Sequence, residues 1–346
     1  MAERASSAIG QLTLWRMREF LREPEALFWV FAFPILLALA LGIAFRAKGP
    51  QIVRVAVEAG PAAEATVRAL EQVGRIEAAL LDPEEAAARL RTGRVALVVR
   101  PGSVPTLVFD STRSEGQLAR LVVGDALQQS AGRTDAVSLR DQTVREPGGR
   151  YIDFLIPGLL GLNIMGTGMW GVGYGIVKNR TQKLLKRFLA SPMRRGEYLL
   201  SFLLARLWFL ALEVAAVLLF GRLAFGVPIR GSLIALAVVA VLGALTFAGI
   251  GTLVASRTRT VEGVSGLMNL VMVPMWIFSG VFFAYSNFPE QVQLFARLLP
   301  LTALNDALRG ILLDGMPLVG LMGPLALMAA WGGASFAVAL RIFRWE

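Results

Sequence analysis

The stretch Lys178–Leu200 reads KNRTQKLLKRFLASPMRRGEYLL and holds seven basic residues and one acid, Glu197. Apolar runs flank it, Phe154–Val177 before and Tyr198–Phe220 after. A spanning helix needs roughly 20 mostly apolar residues, and each run is long enough. Four more segments qualify: Leu27–Phe45, Leu233–Val254, Val264–Tyr285 and Leu318–Ile342. Lys and Arg accumulate in cytoplasmic loops. With the N-terminus inside, the Lys178 loop, the Arg257/Arg259 turn and the Arg341/Arg344 tail bring eleven basic residues to the cytoplasmic side. The short outer connections hold only Arg222, Arg230, Arg297 and Arg309. The opposite orientation reverses that ratio.

Composition agrees. Of 346 residues, 55% are hydrophobic and 17% charged, with a mean hydropathy of +0.59, whereas soluble domains carry about 25% charge. Cysteine is absent, which excludes disulfides, thiolate metal sites and a cysteine nucleophile. Histidine is absent too, which removes the commonest general base and metal ligand. The net charge is +10. The aromatics sit in apolar runs instead of alternating with the cations, which argues against nucleic acid as a partner.

The insert between Arg46 and Arg150 differs in kind, with 15 basic and 13 acidic residues. IVRVAVEA reads as a strand, and PAAEATVRALEQVG as a helix with Pro at its start and Gly past its end. IEAALL, PEEAAARLRTG, VALVVRPG, TLVFDST and EGQLARLVVGDALQQ continue the alternation. The expectation is a small extracytoplasmic α/β domain, 46–150, with neither a phosphate loop nor acids at metal spacing. Ahead of the first span, LTLWRMREFLREPEALF predicts an interfacial amphipathic helix within the cytoplasmic segment 1–26, ending before Pro24. Its apolar arc is Ile9, Leu14, Met17, Phe20 and Leu21. The first span, 27–45, is 19 residues long behind a charged leader, unlike the short hydrophobic region of a signal peptide.

In the opening stretch, Gln182–Leu189 can form two helical turns. Leu184, Leu185, Phe188 and Leu189 fall on one face, with Lys183, Lys186 and Arg187 on the other, and Pro192 breaks the helix. Positive-inside topology with contacts to anionic membrane lipids, about 1 kcal/mol per cation, accounts for the charge. It does not account for the ordered turn and the proline break, which suit docking into a groove of a cytoplasmic protein.

KNRTQKLLKRFLASPMRRGEYLLS resembles the coupling segment of ABC-2 type transporter permeases, with its pattern E-x-x-T-L-x-x-L-L-x-[ST]-P-x-x-R-x-E. FSGVFFAYSNFPEQVQLFARLLPLTALNDALRGILLDG resembles a second signature of that family, and REFLREPEALFWVFAFPILL its interfacial helix and proline-containing first span. The family often has acids where this chain has Lys178, Asn179, Arg180 and Lys183. The resemblance implies a permease subunit of an ABC exporter, not itself an enzyme, paired with a second permease chain as a homo- or heterodimer. It implies a separate ATPase subunit that holds ATP and Mg, so this chain carries no cofactor of its own. The absence of GxxxxGK[ST] from the sequence fits that division. Residues Gln182, Lys183, Leu184, Leu185, Arg187, Phe188, Leu189 and Pro192 of the loop 178–197 would then couple to the ATPase.

Inside the third span, Arg206 and Glu213 stand seven apart, on one face and about 10 Å apart along the axis. Intramembrane charges mark function by default. A structural ion pair and a place on the substrate path both fit. The second span carries Gly171 and Gly175 at GxxxG spacing for close helix packing, and Pro274 loosens the fifth. The region 286–316 holds two helices too short to span, a re-entrant or surface hairpin on the outer side that requires burial in protein. Its Asn305, Asp306 and Arg309 are candidate functional residues, with Arg309 expected to pair with Asp306, Asn305 or a lipid phosphate.

The fold expected is therefore an α-helical polytopic membrane protein with an inserted small α/β domain and a core over 151–346, in the cytoplasmic membrane with both termini inside. The expected substrate is lipophilic or amphipathic: a drug, lipid or glycan-like compound. The alternative is a non-transporting sensor or scaffold that displays the α/β domain. A secondary transporter would normally show paired halves or midplane ion-binding acids, and the sequence shows neither.

Overall fold

A computed structural model describes residues 10–45 (except 12, 15, 16 and 19), 52–134 (except 73), 137, 140, 148–182 and 195–342, with 195–203 by backbone only. Two compact units result: Ala47–Val144, and the rest of the chain.

The first unit is a four-stranded sheet of order β2-β1-β3-β4, built from β1 (Val53–Glu58), β2 (Ile76–Leu81), β3 (Leu97–Arg100) and β4 (Thr106–Phe109). β1 pairs in parallel with β2 and β3, and β3 pairs antiparallel with β4. Val53, Val55 and Val57 point to one face, as the two-residue period of a strand requires. They pack there with Leu70 and Ala63 of one helix (Ala63–Glu71) and Ala119, Val123 and Ala126 of another (Ser114–Ser130). Ala56 and Val98 point to the other face, against Ala86 of the helix Pro83–Arg91. The turn into Ser114–Ser130 is set by Asp110, whose Oδ1 accepts from the Thr112 hydroxyl at 2.6 Å and its amide at 2.9 Å. Those bonds hold the Asp110 carboxyl below the usual carboxylate range.

The second unit is helical. Among the described residues, six helices are long and apolar enough to cross a membrane: α1 (Pro24–Ala44), α2 (Tyr151–Thr181), α3 (Leu204–Phe225, the apolar part of a helix that begins at Arg195), α4 (Leu233–Ala255), α5 (Val261–Phe278) and α8 (Leu318–Ile342). Two short helices, α6 (Glu290–Arg297) and α7 (Pro300–Leu312), fill the hairpin. Before α1 the backbone is helical at the described positions from 10 to 21. There Met17 and Phe20 are half-buried, Phe20 stacking on Phe209 at 4.2 Å, while Leu14 and Leu21 are exposed.

Helix α2 is the axis of this unit. Of its apolar window 78% is buried, against 17% for α1 and 22% for α5. Apolar burial gives little drive between helices in lipid, so close van der Waals packing must hold them. Glycine provides it. A Cβ on Gly168 would meet Phe247 Cβ at 2.9 Å and Ala244 O at 3.3 Å, and one on Gly173 would meet Gly251 O at 2.6 Å, so α2 and α4 touch backbone to backbone. A Cβ on Gly249 of α4 would likewise meet Gly332 O of α8, at 2.9 Å. By contrast, Gly171 is exposed and a Cβ on it would meet nothing within 4 Å, and Gly175 is half-buried. Within the chain, the close packing expected of Gly171 is made by Gly168 and Gly173. The cause is the π-turn at Trp170–Tyr174, where i→i+5 bonding inserts a residue and rotates the face that follows.

Helix α5 stops at Phe278, short of the expected Tyr285, because Ser279 and Gly280 turn the chain, Gly280 at φ +68. A glycine in the left-handed region just past the last turn is a common way to end a helix. The buried face of α5 is Val264, Met268, Met272 and Met275.

Candidate functional site

Three sets of polar side chains tie the spans together, at mid-span, at the hairpin and at the end of α2 that leads into the basic loop.

At mid-span, α1 contains a π-turn (Phe28–Ala32) followed by Pro34. Pro34 has no N–H for the carbonyl of Val30 four residues earlier. The side-chain amide of Asn163 on α2 donates to that carbonyl instead, at 3.0 Å. One turn further, the Thr167 hydroxyl lies 2.7 Å from Asn163 O and 3.1 Å from Glu213 Oε2. Arg206 Nη1 donates to Glu213 Oε1 at 2.9 Å, and its Nη2 reaches Thr167 Oγ1. The side chains of Arg206 and Glu213 are 15% and 1% exposed. The two sequence candidates thus meet as an ion pair, with Thr167 as a third member. Asn163 and Thr167 were not singled out by sequence. An Asn four residues before a Thr in an otherwise apolar span was the available signal.

At the hairpin, α7 is buried along almost its whole length. The last carbonyls of a helix have no partner within it, and α7 supplies them for α5. Asn305 Nδ2 donates to Ser279 O at 2.9 Å, and Arg309 donates to Gly280 O and, at 3.3 Å, to Phe154 O. Its guanidinium also lies 3.7 Å above the Phe154 ring, a cation–π contact. The hydrogen bonds of Arg309 thus go to backbone carbonyls, while Asp306, expected as its partner, acts on it as a nearby charge. Asp306 faces the Tyr285 hydroxyl at 3.4 Å. A cation at a helix C-terminus contributes about 0.3–1 kcal/mol, up to ~2 when partly buried. That reward explains the choice of carbonyls.

A third tie closes the loop-proximal end of α2. Ser256 and Thr258 hydroxyls donate back to Leu253 O and Val254 O, each at 2.7 Å. Arg180 Nη1 takes the next carbonyl, Ala255 O, at 3.2 Å and Thr258 O at 2.8 Å. Lys178 faces Glu23 at 3.6 Å, with both side chains well exposed. Gln182 ends α2 and is exposed. Lys183, Leu184, Leu185, Arg187, Phe188, Leu189 and Pro192 lie outside the described residues. No group of three or more acids that could hold a metal ion occurs among the described residues.

Comparison with known proteins places these ties in context. The family model "ABC-2 family transporter protein" matches residues 24–341. The chain is 26% identical over 172 residues to ABC transporter G family member 20 of Dictyostelium discoideum, covering 50% of this chain and 24% of that protein. It is 27% identical over 180 residues to linearmycin resistance permease protein LnrN of Bacillus subtilis (strain 168), covering 51% of this chain and 46% of that one. The chain therefore spans less than half the length of either relative. The family match runs through all six apolar helices and the inserted sheet, and so the chain belongs to the ABC-2 family of transporters, as a multi-span membrane permease component.

Proposed function

We propose that this permease exports a lipophilic or amphipathic compound, driven by a separate ATPase that docks on residues 182–192 and working beside a second permease chain. The observation that carries the reading is how the charges inside the spans are used. Asp153 takes Arg150 at 2.7 Å, and Glu213 takes Arg206. With these charges matched inside the protein, the faces that α1, α5 and α8 leave uncovered are apolar, with Leu36, Leu270 and Phe336 each more than half exposed. Such faces suit contact with lipid, a second permease or an apolar cargo. One relative is named for resistance as a permease, which favours outward movement. The Lys/Arg bias supports a cell-membrane orientation with both termini and the Lys178 loop in the cytoplasm and 46–150 outside. The Arg206–Glu213 pair acts in this reading as a tie between spans and leaves the path apolar.

Co-expression with candidate ATPase subunits tests this. The ATPase should co-purify, and the chain alone should hydrolyse no ATP. Robust turnover by the lone chain, or a chain that retains no ATPase, would overturn the assignment. A tag between Ala59 and Ala65 should be reached from outside, and one after Arg194 only from inside.

A further inference from the structure

We infer that Arg180 is a positioning residue that carries movement of the 182–192 segment into α4 and α5. The inference rests on the docking reading above. Arg180 sits in the last turn of α2, two residues before Gln182, where the docking segment begins. It donates to two backbone carbonyls, Ala255 O at the end of α4 and Thr258 O in the turn that leads to α5. Carbonyls at a helix end are fixed by the helix itself, so this grip follows the backbone of α4 and not a flexible side chain. The turn is rigid on its own account: Ser256 and Thr258 cap the end of α4, and Thr260 Oγ1 accepts from Gly263 N at 3.1 Å to begin α5. A displacement of the α2 end is therefore passed to two further spans without loss in the turn. Lys178, on the same helical turn, meets Glu23 near the start of α1. That pair is exposed, and exposed pairs hold weakly. Arg180 is the firm half of the joint. A guanidinium can serve two carbonyls in fixed geometry, whereas an ammonium is a single point charge on a flexible stem.

The chain has no cysteine, so introduced thiols are its only ones. Thr181→Cys and Arg259→Cys place thiols at two exposed positions on either side of the joint. In the complex with the ATPase, a short bifunctional thiol reagent should cross-link them equally in the nucleotide-free and vanadate-trapped states. With Arg180→Gln added, the ATPase should still co-purify and hydrolyse ATP, yet the trapped-state yield should fall about tenfold, the factor that loss of one charge-assisted hydrogen bond brings to an equilibrium. Arg180→Lys, which keeps the charge and folds under the same constraints, should give an intermediate yield. Equal trapped-state yields in all three backgrounds would overturn the inference, as would loss of the ATPase from Arg180→Lys. A chain with Arg180 intact that binds no ATPase overturns the docking reading itself, and this one with it.

Discussion

The amide of Asn163 occupies the position that the backbone N–H of Pro34 would otherwise serve, 3.0 Å from the carbonyl of Val30. The proline opens α1 and the asparagine of α2 closes it again, so a local defect becomes a bond between helices. Asn163→Leu should lower stability by about 1–3 kcal/mol, the penalty of an unpartnered buried carbonyl. Pro34→Ala restores a backbone donor, so Asn163→Leu should do less harm in that background. Thermal unfolding of the four proteins in detergent checks this. Additive losses would show that the bond does not carry the effect.

Arg206 and Glu213 stabilise each other more than either stabilises the fold. Arg206→Met alone leaves Glu213 buried beside a lone hydroxyl and should destabilise by about 3–5 kcal/mol. Arg206→Met with Glu213→Leu should recover most of that loss, because two apolar residues replace the whole pair. Measured unfolding midpoints in which the double variant is worse than the single one would contradict this account.

Gly173→Ala and Gly171→Ala separate the two glycine faces of α2. A methyl at 173 meets Gly251 O and the Met268 side chain, whereas one at 171 meets open space. Overpacking of this kind costs about 1–3 kcal/mol. The first variant should lose monodisperse protein on size exclusion, and the second should retain it. Loss at 171 alone would place the helix contact outside this chain, at a second permease.

Much of the fold was legible because lipid imposes length and composition on every span, and the sheet because strand and helix periods alternate between Val53 and Ser130. The polar ties were only half legible. Arg206 and Glu213 stand out as charges and sit on one face. Arg309 and Arg180 stand out too, but both reach backbone carbonyls freed at helix ends, and no residue type announces a carbonyl. The Gly171–Gly175 spacing pointed to a packed face that the π-turn at Trp170–Tyr174 rotates away. Spacing arguments assume 3.6 residues per turn throughout.

The docking segment should depend on its apolar residues more than on its charges, since binding energy concentrates in a few buried anchors and rim charges add little. Leu185→Asp or Phe188→Asp should release the ATPase while the permease remains inserted. Lys183→Gln with Lys186→Gln should cost far less. Co-purification with a membrane-insertion control distinguishes the two, and the reverse ranking would mean the loop acts by charge.

Helix α5 is clasped just past its C-terminal end by Asn305 and Arg309, while Arg180 grips the turn that leads into it, yet little of its length is covered. Along that length its buried face is Val264 and a seam of methionines, the most deformable of core side chains, with Met268 and Met272 lying near glycines of α2. Pro274 removes one rung of its own ladder. A rod clasped at both ends, greased along one side and notched near the middle yields by bowing, not by sliding. A helix fastened at both ends and weakened at Pro274 bends there before either fastening lets go.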